Sequence, residues 1–600
     1  MGKEAADTPL TAGGGSTHST PADLSSPILQ KAIASIHASL SGHSFRILQS
    51  DPLAPENPTL ADLTAYLSSP LNSLQSVPKN KDWSRPLNEY FISSSHNTYL
   101  TGHQLYGSST SDGYINVLSR GCRCVEIDVW DGDDGEPEVF HGYTLTKEMK
   151  FKDVCKTIRK YGFSDQEGER WEGPGEGPII ISLECHASHE QQLRMVEIMK
   201  KEWGDMLVQG IDPEDVKVLP SPEELRRKIV VKAKYVPPTP EEVAVQEVAA
   251  AVETLAINEP EKARPRKSRS SGNDSDTTSS SSDSELEAMS AAANKQKPKK
   301  TKVVRAFARL GAYASSHHFP AKSGHPEPFT GHPTSLIPNH VYSFSEKVFK
   351  KHNEAFRGGI IEHNKRHLMR VYPFGLRFGS SNADSHTLLT FWLHGVQLVA
   401  LNWQSLDEAM MLNEALFSSE GGYVLKPPGL KPHDPVPSLP LHTLSLTLTV
   451  LAASAIPLPS ASDNPASFEP YVKAELHTAD DAASGKEIKR RTKTQKGVDV
   501  MWGSRGGVKG KLREMVKRAE GEVVVGEQLV FEGIKGVAKE KLSFLRIKVH
   551  DDEFGKDDLA AWACVRVDRL QMGWRVVRLW DSRGRRSKGV LLVKVEMKWD

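Results

Sequence analysis

The sequence predicts a multidomain protein built around a (β/α)8 barrel that is split by a disordered insertion, preceded by a small helical lobe and followed by an all-β sandwich. Three observations predict this fold class. Short apolar runs alternate with helical segments in two blocks, which is typical of a parallel sheet or barrel. A Ser-rich and acid-rich stretch separates the two blocks. The last portion alternates apolar and polar residues with turn signals between the runs, as the strands of a sandwich do.

Length and composition limit the class of protein. The chain has 600 residues, 76 basic and 76 acidic side chains, and 5 cysteines. This length predicts several domains. Because the charges balance, no global basic field indicates a nucleic-acid partner, and we expect none. An odd number of cysteines without a CxxC pair argues against a disulfide framework or a zinc ribbon.

The cellular compartment is predicted from the cysteines and from the lack of long apolar segments. Free cysteines favour a reducing environment. The sequence contains neither an apolar run of about 18 residues nor the apolar core of a signal peptide. We therefore expect a cytoplasmic protein that associates with membranes only peripherally.

A helical lobe is predicted after a disordered N-terminus. Apolar residues recur at helical spacing in SPILQKAIASIHASL and NPTLADLTAYL. Thr59 and Asp62 have the spacing of a capping box at the start of the second helix. The lobe contains no calcium loop of the D-x-[DN]-x-[DN]-G type.

The barrel strands are expected on both sides of the Ser-rich stretch. The first block contributes YFISSSHN, CVEIDVWD, EVFHGYT, PIIISLECH and KIVVKAKY, and the second contributes VYSFSE, HLMRVYPFG and VQLVALNWQ. Helical segments such as HEQQLRMVEIMKKEW lie between them. About eight runs is the number that a (β/α)8 barrel needs.

Shifts in composition set the expected domain boundaries. These are a disordered N-terminus at 1–25, the helical lobe at 26–81, the first half of the barrel at 82–235, a disordered linker at 236–338, the second half of the barrel at 339–430, a Pro-rich hinge at 431–440 and the sandwich at 441–600. Within the linker, Val303, Phe307 and Leu310 fall on one helical face with basic neighbours. That pattern is typical of a helix lying on a membrane, and a solvated tether is the alternative.

Oxygen donors stand at the ends of several predicted barrel strands, where the side chains of a barrel gather around one mouth. Glu126 and Asp128 are two residues apart in one strand and therefore point to the same face. Asn97 and Glu184 end two other strands. Calcium prefers such ligands, and converging carboxylates without a cation would repel one another. The sequence therefore predicts a calcium site formed by these four residues.

Two histidines end predicted strands beside the acidic residues. His96 precedes Asn97, and His141 ends the strand that is predicted in the run EVFHGYT. Histidine can give and take a proton near neutral pH. A buried, hydrogen-bonded histidine is the alternative for either residue, but two of them beside a predicted cation favour acid–base catalysis.

Basic residues complete the predicted mouth. Lys232 and Lys234 are two residues apart, as are Arg370 and Tyr372, so each pair faces one side of its strand. Cations beside an acidic metal site indicate a polyanionic substrate such as a phosphate ester with further phosphates. Tyr372 offers a flat face for a ring. A solvated, charged strand edge is the alternative for KIVVKAK.

Co-linear blocks of the sequence resemble a known family. PLNEYFISSSHNTYL, GCRCVEIDVWDG, FHGYTLT, IISLECH and LPSPEELRRKIVVKAK resemble the X half of eukaryotic phosphoinositide-specific phospholipase C. YSFSE, RHLMRVYPFGLRFGSSN, LVALNWQ and GGYVLKPP resemble its Y half. The resemblance implies a TIM-like barrel between an EF-hand-like lobe and a C2 domain, as in the delta-like class, with no recognisable PH domain.

The resemblance implies a role for each site residue. Asn97, Glu126, Asp128 and Glu184 match the calcium ligands, His96 and His141 match the catalytic histidines, Lys232, Lys234, Ser343 and Arg370 match the residues that hold the ring phosphates, and Tyr372 matches the aromatic residue beneath the inositol. The C2-like part departs from the family's pattern. Glu469 stands where an aspartate is usual, and KGVDVMWGSRGG does not resemble the family's calcium loop, although Asp551 and Glu553 remain. These departures argue against calcium binding by that part.

The function implied by the resemblance is calcium-dependent hydrolysis of phosphatidylinositol 4,5-bisphosphate. The products would be diacylglycerol and inositol trisphosphate, formed through a cyclic phosphate, in lipid signalling at membranes that carry anionic phosphoinositides. Two alternatives remain open. One is a catalytically inactive inositide-binding scaffold, which would be expected to lose a histidine or a metal ligand. The other is a glycerophosphodiester phosphodiesterase, which would not need Lys232, Lys234 and Arg370. The sequence identifies no upstream regulatory protein.

Overall fold

The computed structural model describes a helical lobe, a barrel and a sandwich. The described residues are 21–40, 58–76, 81–102, 108–142, 148–163, 176–237, 303–320, 324–375, 377, 379–435, 438–460, 464–479, 488–503, 526–553 and 557–600. The predicted disorder of residues 1–20 and of the Ser-rich segment 238–302 lies outside these residues. No helix in the described ranges combines the length and the apolar character needed to cross a bilayer.

Nine α-helices lie within the described ranges. They are α1 (Pro27–Leu40), α2 (Leu60–Ser68), α3 (Ser111–Ser119), α4 (Phe151–Tyr161), α5 (His189–Trp203), α6 (Arg305–Ala308), α7 (Glu346–Arg366), α8 (Ser385–Leu393) and α9 (Glu408–Phe417).

The strands fall into two groups along the chain. The first group is β1 (Tyr90–Ile92), β2 (Ser94–Ser95), β3 (Leu100–Thr101), β4 (Ser108–Ser109), β5 (Cys124–Trp130), β6 (Glu138–Val139), β7 (Met149–Lys150), β8 (Ile179–Cys185), β9 (Ile229–Lys234), β10 (Ser315–Ser316), β11 (His340–Ser345), β12 (Leu368–Tyr372), β13 (Leu398–Leu401) and β14 (Tyr423–Leu425). The second group is β15 (Leu441–Ser454), β16 (Pro470–His477), β17 (Ile488–Arg491), β18 (Val500–Met501), β19 (Glu527–Ala538), β20 (Phe544–Asp551), β21 (Asp558–Arg566), β22 (Gly573–Asp581) and β23 (Arg586–Trp599).

Eight parallel strands close into a barrel. Their order is β2, β5, β8, β9, β10, β11, β12 and β13, and β13 pairs with β2 to complete the ring. The central strands are buried on both faces, as parallel strands covered by helices must be. The predicted (β/α)8 barrel is therefore confirmed.

One member of the predicted strand set is wrong. Within the run EVFHGYT, Glu138 and Val139 form β6, which pairs antiparallel with β5 and β7 in a side hairpin outside the ring. The missing barrel strand is β10, formed by Ser315 and Ser316 between β9 and β11. This strand has two residues and no apolar side chain, so it gives no apolar run in the sequence.

The end of the predicted disordered linker is also corrected by the structure. Residues 303–320 are folded and contain both α6 and β10. Phe307 and Leu310 are buried in the barrel core, and Val303 is partly buried against this core. Arg305 forms an ion pair with Glu214 on the barrel. The apolar face that suggested a membrane helix is therefore occupied by the barrel.

The C-terminal part is an antiparallel sandwich with nine strands among its described residues, close to the predicted number of about eight. The sheet runs from β17 through β16, β20, β21, β22 and β23 to β15, which also pairs with β18 and β19. Arg490 on β17 donates to the carbonyl oxygen of Val530 on β19 at 2.9 Å, so the sheet nearly closes on itself. Its interior is a continuous apolar core.

The helical lobe packs on the sandwich. Ile33 and Leu67 pack in one cluster with Trp574 and Leu592 of the sheet. The predicted capping box of α2 is present, because Thr59 and Asp62 each bond to the backbone of the other. Leu24 is buried in the same cluster, so the predicted disordered segment 1–25 extends too far.

The barrel and the sandwich share an extensive contact. Phe544 of β20 packs against Trp392 of α8, with 6.0 Å between the ring centroids. Arg546 of β20 donates to Glu408 at the start of α9 at 2.6 Å. Arg566 of β21 donates to Glu420 at 2.8 Å. These buried contacts hold the sandwich beside the second half of the barrel.

Candidate active site

Strand register brings the predicted site residues to the mouth of the barrel. In the pairing of β5 with β8, Asp128 lies beside Glu184, and Glu126 lies beside Ser182. Ser182 in turn lies beside Lys232 on β9. Parallel strands end at the same edge of the barrel, so these side chains share one end of it.

Glu126 is the most enclosed acid of the site. Its Oε2 accepts a hydrogen bond of 2.7 Å from the backbone N–H of Asn97, and its Oε1 accepts one of 2.5 Å from Arg370. Asn97 has a φ of 42°, in the left-handed region that asparagine tolerates better than most residues. This conformation turns the chain after β2 and directs the N–H of Asn97 at Glu126.

Asp128 has a partner that the sequence analysis missed. The hydroxyl of Tyr99 donates to Oδ2 of Asp128 at 2.6 Å. Burial, together with the charge of Asp128, raises the pKa of Tyr99 well above its ordinary value, so the tyrosine keeps its proton and remains a donor. The only available signal was the position of Tyr99 in SSSHNTYL, two residues after Asn97.

His96 is held by contacts from the second half of the barrel. Its Nδ1 lies 2.8 Å from Oδ1 of Asn402, whose amide nitrogen donates to the carbonyl oxygen of Ser381 at 3.0 Å. With the amide oriented in this way, Asn402 accepts a proton from Nδ1, and Nε2 of His96 faces Glu126 at 4.0 Å. Asn402 was not predicted, because it lies 306 residues from His96 in the chain.

The electrostatic surroundings of His96 favour the neutral ring. Burial, and then the positive charge of Arg370, lower the pKa of His96 to about 3. His141 also lowers this pKa and Glu184 raises it, so both residues lie close enough to act on His96. His141 is half-buried and follows β6 in the side hairpin.

The basic residues occupy different depths of the mouth. Lys232 is buried, with Nζ 3.5 Å from Oγ of Ser182, whereas Lys234 is exposed at the end of β9. Burial and the nearby Arg370 lower the pKa of Lys232, and the charge of Glu184 opposes this shift. Burial acts to lower the pKa of Arg370. The charge of Glu126 acts in the opposite direction, and the pKa of Arg370 is raised overall.

Tyr372 and Ser343 line the same side of the mouth. The Arg370 guanidinium lies 5.1 Å from the centroid of the Tyr372 ring. That ring is parallel to the imidazole of His96, with 6.1 Å between centroids and 6° between planes. Ser343 lies beside Arg370 in the pairing of β11 with β12. A flat aromatic face thus adjoins hydroxyl and guanidinium donors.

The donor set at the mouth fits a hard cation. Glu126, Asp128 and Asn97 are buried, and Glu184 is half-buried beside them. All four offer side-chain oxygens, which are calcium ligands, whereas a zinc site would use histidine or cysteine. The chemistry of these residues therefore matches the predicted metal.

A second group of potential ligands lies elsewhere in the described residues. Glu408, Glu475 and His477 have ligand atoms within 4.8 Å of one another. The guanidinium of Arg546 donates to both carboxylates. Lys473 and Lys548 also contact Glu475. Because cations of the protein already pair with both acids, we interpret the group as an ion-pair network between barrel and sandwich.

Family models match both halves of the barrel. The X domain of phosphatidylinositol-specific phospholipase C matches residues 83–235, and its Y domain matches residues 307–429. The chain belongs to the phosphoinositide-specific phospholipase C family. The Y-domain match begins within α6, in agreement with the folded end of the linker.

Individual members of this phospholipase C family give the extent of the likeness. A 1-phosphatidylinositol 4,5-bisphosphate phosphodiesterase of Dictyostelium discoideum is 33% identical over 513 residues, covering 83% of this chain and 57% of the relative. The human delta-4 enzyme of the same name is 40% identical over 411 residues, covering 67% of this chain and 49% of the relative. The chain thus spans about half the length of the curated relatives it matches.

A solved structure has the same architecture. The crystal structure of L. pealei PLC21 superposes with a TM-score of 0.64 and 24% sequence identity. The superposition covers 98% of this chain and 67% of that chain. At this identity the comparison supports the fold alone.

Proposed function

We propose that the chain hydrolyses phosphatidylinositol 4,5-bisphosphate to diacylglycerol and inositol trisphosphate in a calcium-dependent reaction at membranes. The observation that carries the proposal is the convergence of Glu126, Asp128 and Glu184 with buried Lys232 and Arg370 at one barrel mouth. An acidic metal site beside buried cations suits a substrate with several phosphates. The names of the curated relatives support the same substrate.

The metal of the proposed reaction is calcium. Asn97, Glu126, Asp128 and Glu184 would hold it. When bound there, calcium would lower the pKa of the inositol 2-hydroxyl and neutralise charge that develops on the phosphoryl group. Tyr99 orients one oxygen of Asp128 by donating a hydrogen bond to it.

Proton transfers are assigned to the residues around this site. The inositol 2-hydroxyl attacks phosphorus after losing its proton to Glu126 or Asp128, and the bond from phosphorus to the glycerol oxygen breaks. His141 protonates that departing oxygen, so that diacylglycerol leaves and a cyclic phosphate remains. Water then opens the cyclic phosphate. In this step His141 acts as the base toward water, and Glu126 or Asp128 returns the proton to the inositol 2-oxygen.

His96 is assigned to the phosphoryl oxygens. Because Asn402 accepts from Nδ1, the ring can donate from Nε2 only when it is protonated. Among the charged neighbours of His96, Arg370 has the largest effect and lowers the pKa of the ring. A phosphate anion beside Nε2 would raise that pKa and allow donation to the phosphoryl group.

Specificity for the phosphorylated ring is assigned to the rest of the mouth. Lys232, Lys234, Ser343 and Arg370 would hold the ring phosphates. Tyr372 would lie against the inositol ring, since its face is already parallel to a neighbouring ring at this position. Peripheral attachment to the bilayer follows from a lipid substrate.

A calcium titration of hydrolysis tests the proposal. The full chain is incubated with vesicles containing phosphatidylinositol 4,5-bisphosphate, and released inositol phosphates are measured as calcium is varied and then chelated. We expect activity that requires calcium, and loss of calcium binding by calorimetry in Asp128→Asn. Vesicle binding without hydrolysis at saturating calcium would support the inactive scaffold instead. Preferential cleavage of glycerophosphodiesters would support the second alternative.

A further inference from the structure

An aromatic stack lies at the rim of the barrel and has no role in the proposed reaction as described so far. Trp130 ends β5. The imidazole of His186, just after β8, stacks on the indole of Trp130 with 4.1 Å between ring centroids and 11° between ring planes. The ring of Phe140, just after β6, stacks on the same indole with 5.6 Å between centroids and 24° between planes. These three residues form the rim stack.

Strand register places the rim stack directly beside the acids of the site. In the parallel pairing of β5 with β8, Asp128 lies beside Glu184. The pairing continues past β8, because the backbone N–H of His186 donates to the carbonyl oxygen of Val129 at 2.8 Å. Side chains two residues apart on a strand share a face. Trp130 and His186 therefore lie on the face of the two acids, one layer nearer to the rim.

The indole of Trp130 contacts the chain on both sides of His141. Phe140 precedes His141, and its ring stacks on the indole. Gly142 follows His141, and a Cβ atom added there would overlap Cζ2 of Trp130 and lie 2.7 Å from both Cε2 and Cη2. The φ of Gly142 lies outside the left-handed region, so alanine would fit its backbone conformation. The indole is thus the reason that this position has no room for a side chain.

His141 depends on such packing because regular strand pairing ends before it. β6 ends at Val139, and residues 140–142 belong to no helix or strand. A catalytic group has to be held within about 0.5 Å of its productive position by packed neighbours. In the described residues around His141, the indole supplies this support to both of its chain neighbours.

We propose that Trp130 is a positioning residue for His141. Its indole, held against His186, fixes the backbone of His141 relative to Asp128 and Glu184. A displacement of about 1 Å in a reacting group can reduce a rate about 100-fold, so this support sets how well His141 reaches the departing glycerol oxygen. The inference rests on the proposed function, in which His141 is the general acid, and it adds a residue that does not itself touch the substrate.

Replacing Trp130 with Leu in two backgrounds tests the inference. The measurement is hydrolysis of phosphatidylinositol 4,5-bisphosphate on vesicles at saturating calcium. In the otherwise unchanged chain, we expect kcat to fall about tenfold while KM changes less than about twofold. In the His141→Ala background, the same replacement should change kcat by less than about twofold, because the group that Trp130 positions is absent. Trp599→Leu is the matched control, since it makes the same change at a partly buried position of the sandwich, and it should leave kcat unchanged.

Replacing Gly142 with Ala provides a second, independent variant. The added methyl group would collide with the indole and displace the chain beside His141, so kcat should again fall about tenfold. The double variant Trp130→Leu, Gly142→Ala removes the collision. Its kcat should therefore be about tenfold below that of the unchanged chain, whereas two independent effects would multiply to about 100-fold.

A measurement without substrate separates this inference from the proposed function. In the full chain labelled with ¹³C at the histidine Cε1 atoms, the His141 signal is the one missing from His141→Ala. Its order parameter should fall in Trp130→Leu, as the ring becomes mobile, and stay unchanged in Trp599→Leu. Such a fall in a chain that hydrolyses no phosphoinositide would reject the proposed function and leave the support of His141 by Trp130 in place.

Three results would overturn the positioning role. One is normal kcat in Trp130→Leu. Another is an equal loss of kcat from Trp130→Leu with and without His141, which would mean that the indole acts on the acids or on the fold in general. The third is an unchanged order parameter of His141 in an active chain.

Discussion

Arg370 and Glu126 form a buried ion pair across the mouth of the barrel, with 2.5 Å between Nη2 and Oε1. Their side chains are 1% and 2% exposed. The pair joins β12 in the second half of the barrel to β5 in the first half. Arg370 therefore has a structural partner in addition to the substrate phosphate assigned to it.

Replacing Arg370 with Met should lower stability as well as activity. The change would leave the Glu126 carboxylate buried without its cation, which typically costs about 3 to 5 kcal/mol. Denaturant unfolding of the two proteins measures the difference. Lys234→Met is the matched control, because Lys234 is an exposed cation at the same mouth, and its unfolding free energy should change by less than about 0.5 kcal/mol. Equal stability of the Arg370 variant and the unchanged chain would contradict the importance of the ion pair.

Replacing His141 with Ala should reduce turnover about 100-fold or more, which is typical for loss of a general acid. The measurement is the rate of hydrolysis at saturating substrate. His189→Ala is a suitable control, because His189 is exposed at the start of α5. Near-normal turnover in the His141 variant would remove this residue from the mechanism.

Replacing Lys232 with Met should impair hydrolysis of phosphatidylinositol 4,5-bisphosphate more than that of unphosphorylated phosphatidylinositol. A buried cation that faces a ring phosphate contributes only when that phosphate is present. The ratio of kcat/KM for the two lipids is the measurement. Lys228→Met, one residue before the opposite end of the same strand, should leave the ratio unchanged. Equal losses on both lipids would indicate that Lys232 acts structurally.

Most of the barrel could be predicted because its strands are apolar and alternate with helices. The failure at Ser315 and Ser316 has a physical cause. A strand of two small residues closes the ring between β9 and β11, where Gly311 lies so close to β9 that an added Cβ would be 3.3 Å from the Cβ of Ala233. Small side chains suit this crowded position, and they leave no hydrophobic pattern to detect.

The site was predicted less completely than the fold. Candidate residues at strand ends could be predicted because each apolar run in the sequence shows where its strand ends. Tyr99 and Asn402 act through contacts with Asp128 and His96 that depend on how separate segments meet. A single sequence carries no signal for such pairing across the barrel, so these positioning residues emerge only from the fold.

A cluster of buried histidines predicts a loss of stability at low pH. Nε2 of His340 lies 2.7 Å from Nε2 of His363, and His367 packs against both rings. Burial and the neighbouring His367 lower the pKa of His363 to about 3. In the unfolded chain a histidine titrates near 6.5, so below that pH the unfolded state binds the proton and the folded state does not.

The sign of the effect follows from these pKa values. Stability is fully present above about pH 6.5 and is lost as pH falls toward the folded-state pKa, with His363 alone contributing about 2 kcal/mol of loss by pH 5. Denaturant unfolding at pH 7 and pH 5 measures it. The variant His363→Gln should show a smaller difference between the two pH values. An unchanged difference would mean that other groups govern the acid sensitivity.

Phe307 distinguishes a docked linker end from a membrane anchor. Its side chain is 1% exposed in the barrel core, so Phe307→Ala should destabilise the protein by about 3 to 5 kcal/mol through loss of buried contacts. Arg309→Ala on the next turn is the control, since this side chain is half exposed and its loss should change stability by less than about 1 kcal/mol. If Phe307 instead contacted a bilayer, its replacement would weaken vesicle binding and leave unfolding unchanged. The buried position favours the first outcome, because a side chain enclosed by the barrel cannot reach lipid unless residues 303–320 detach.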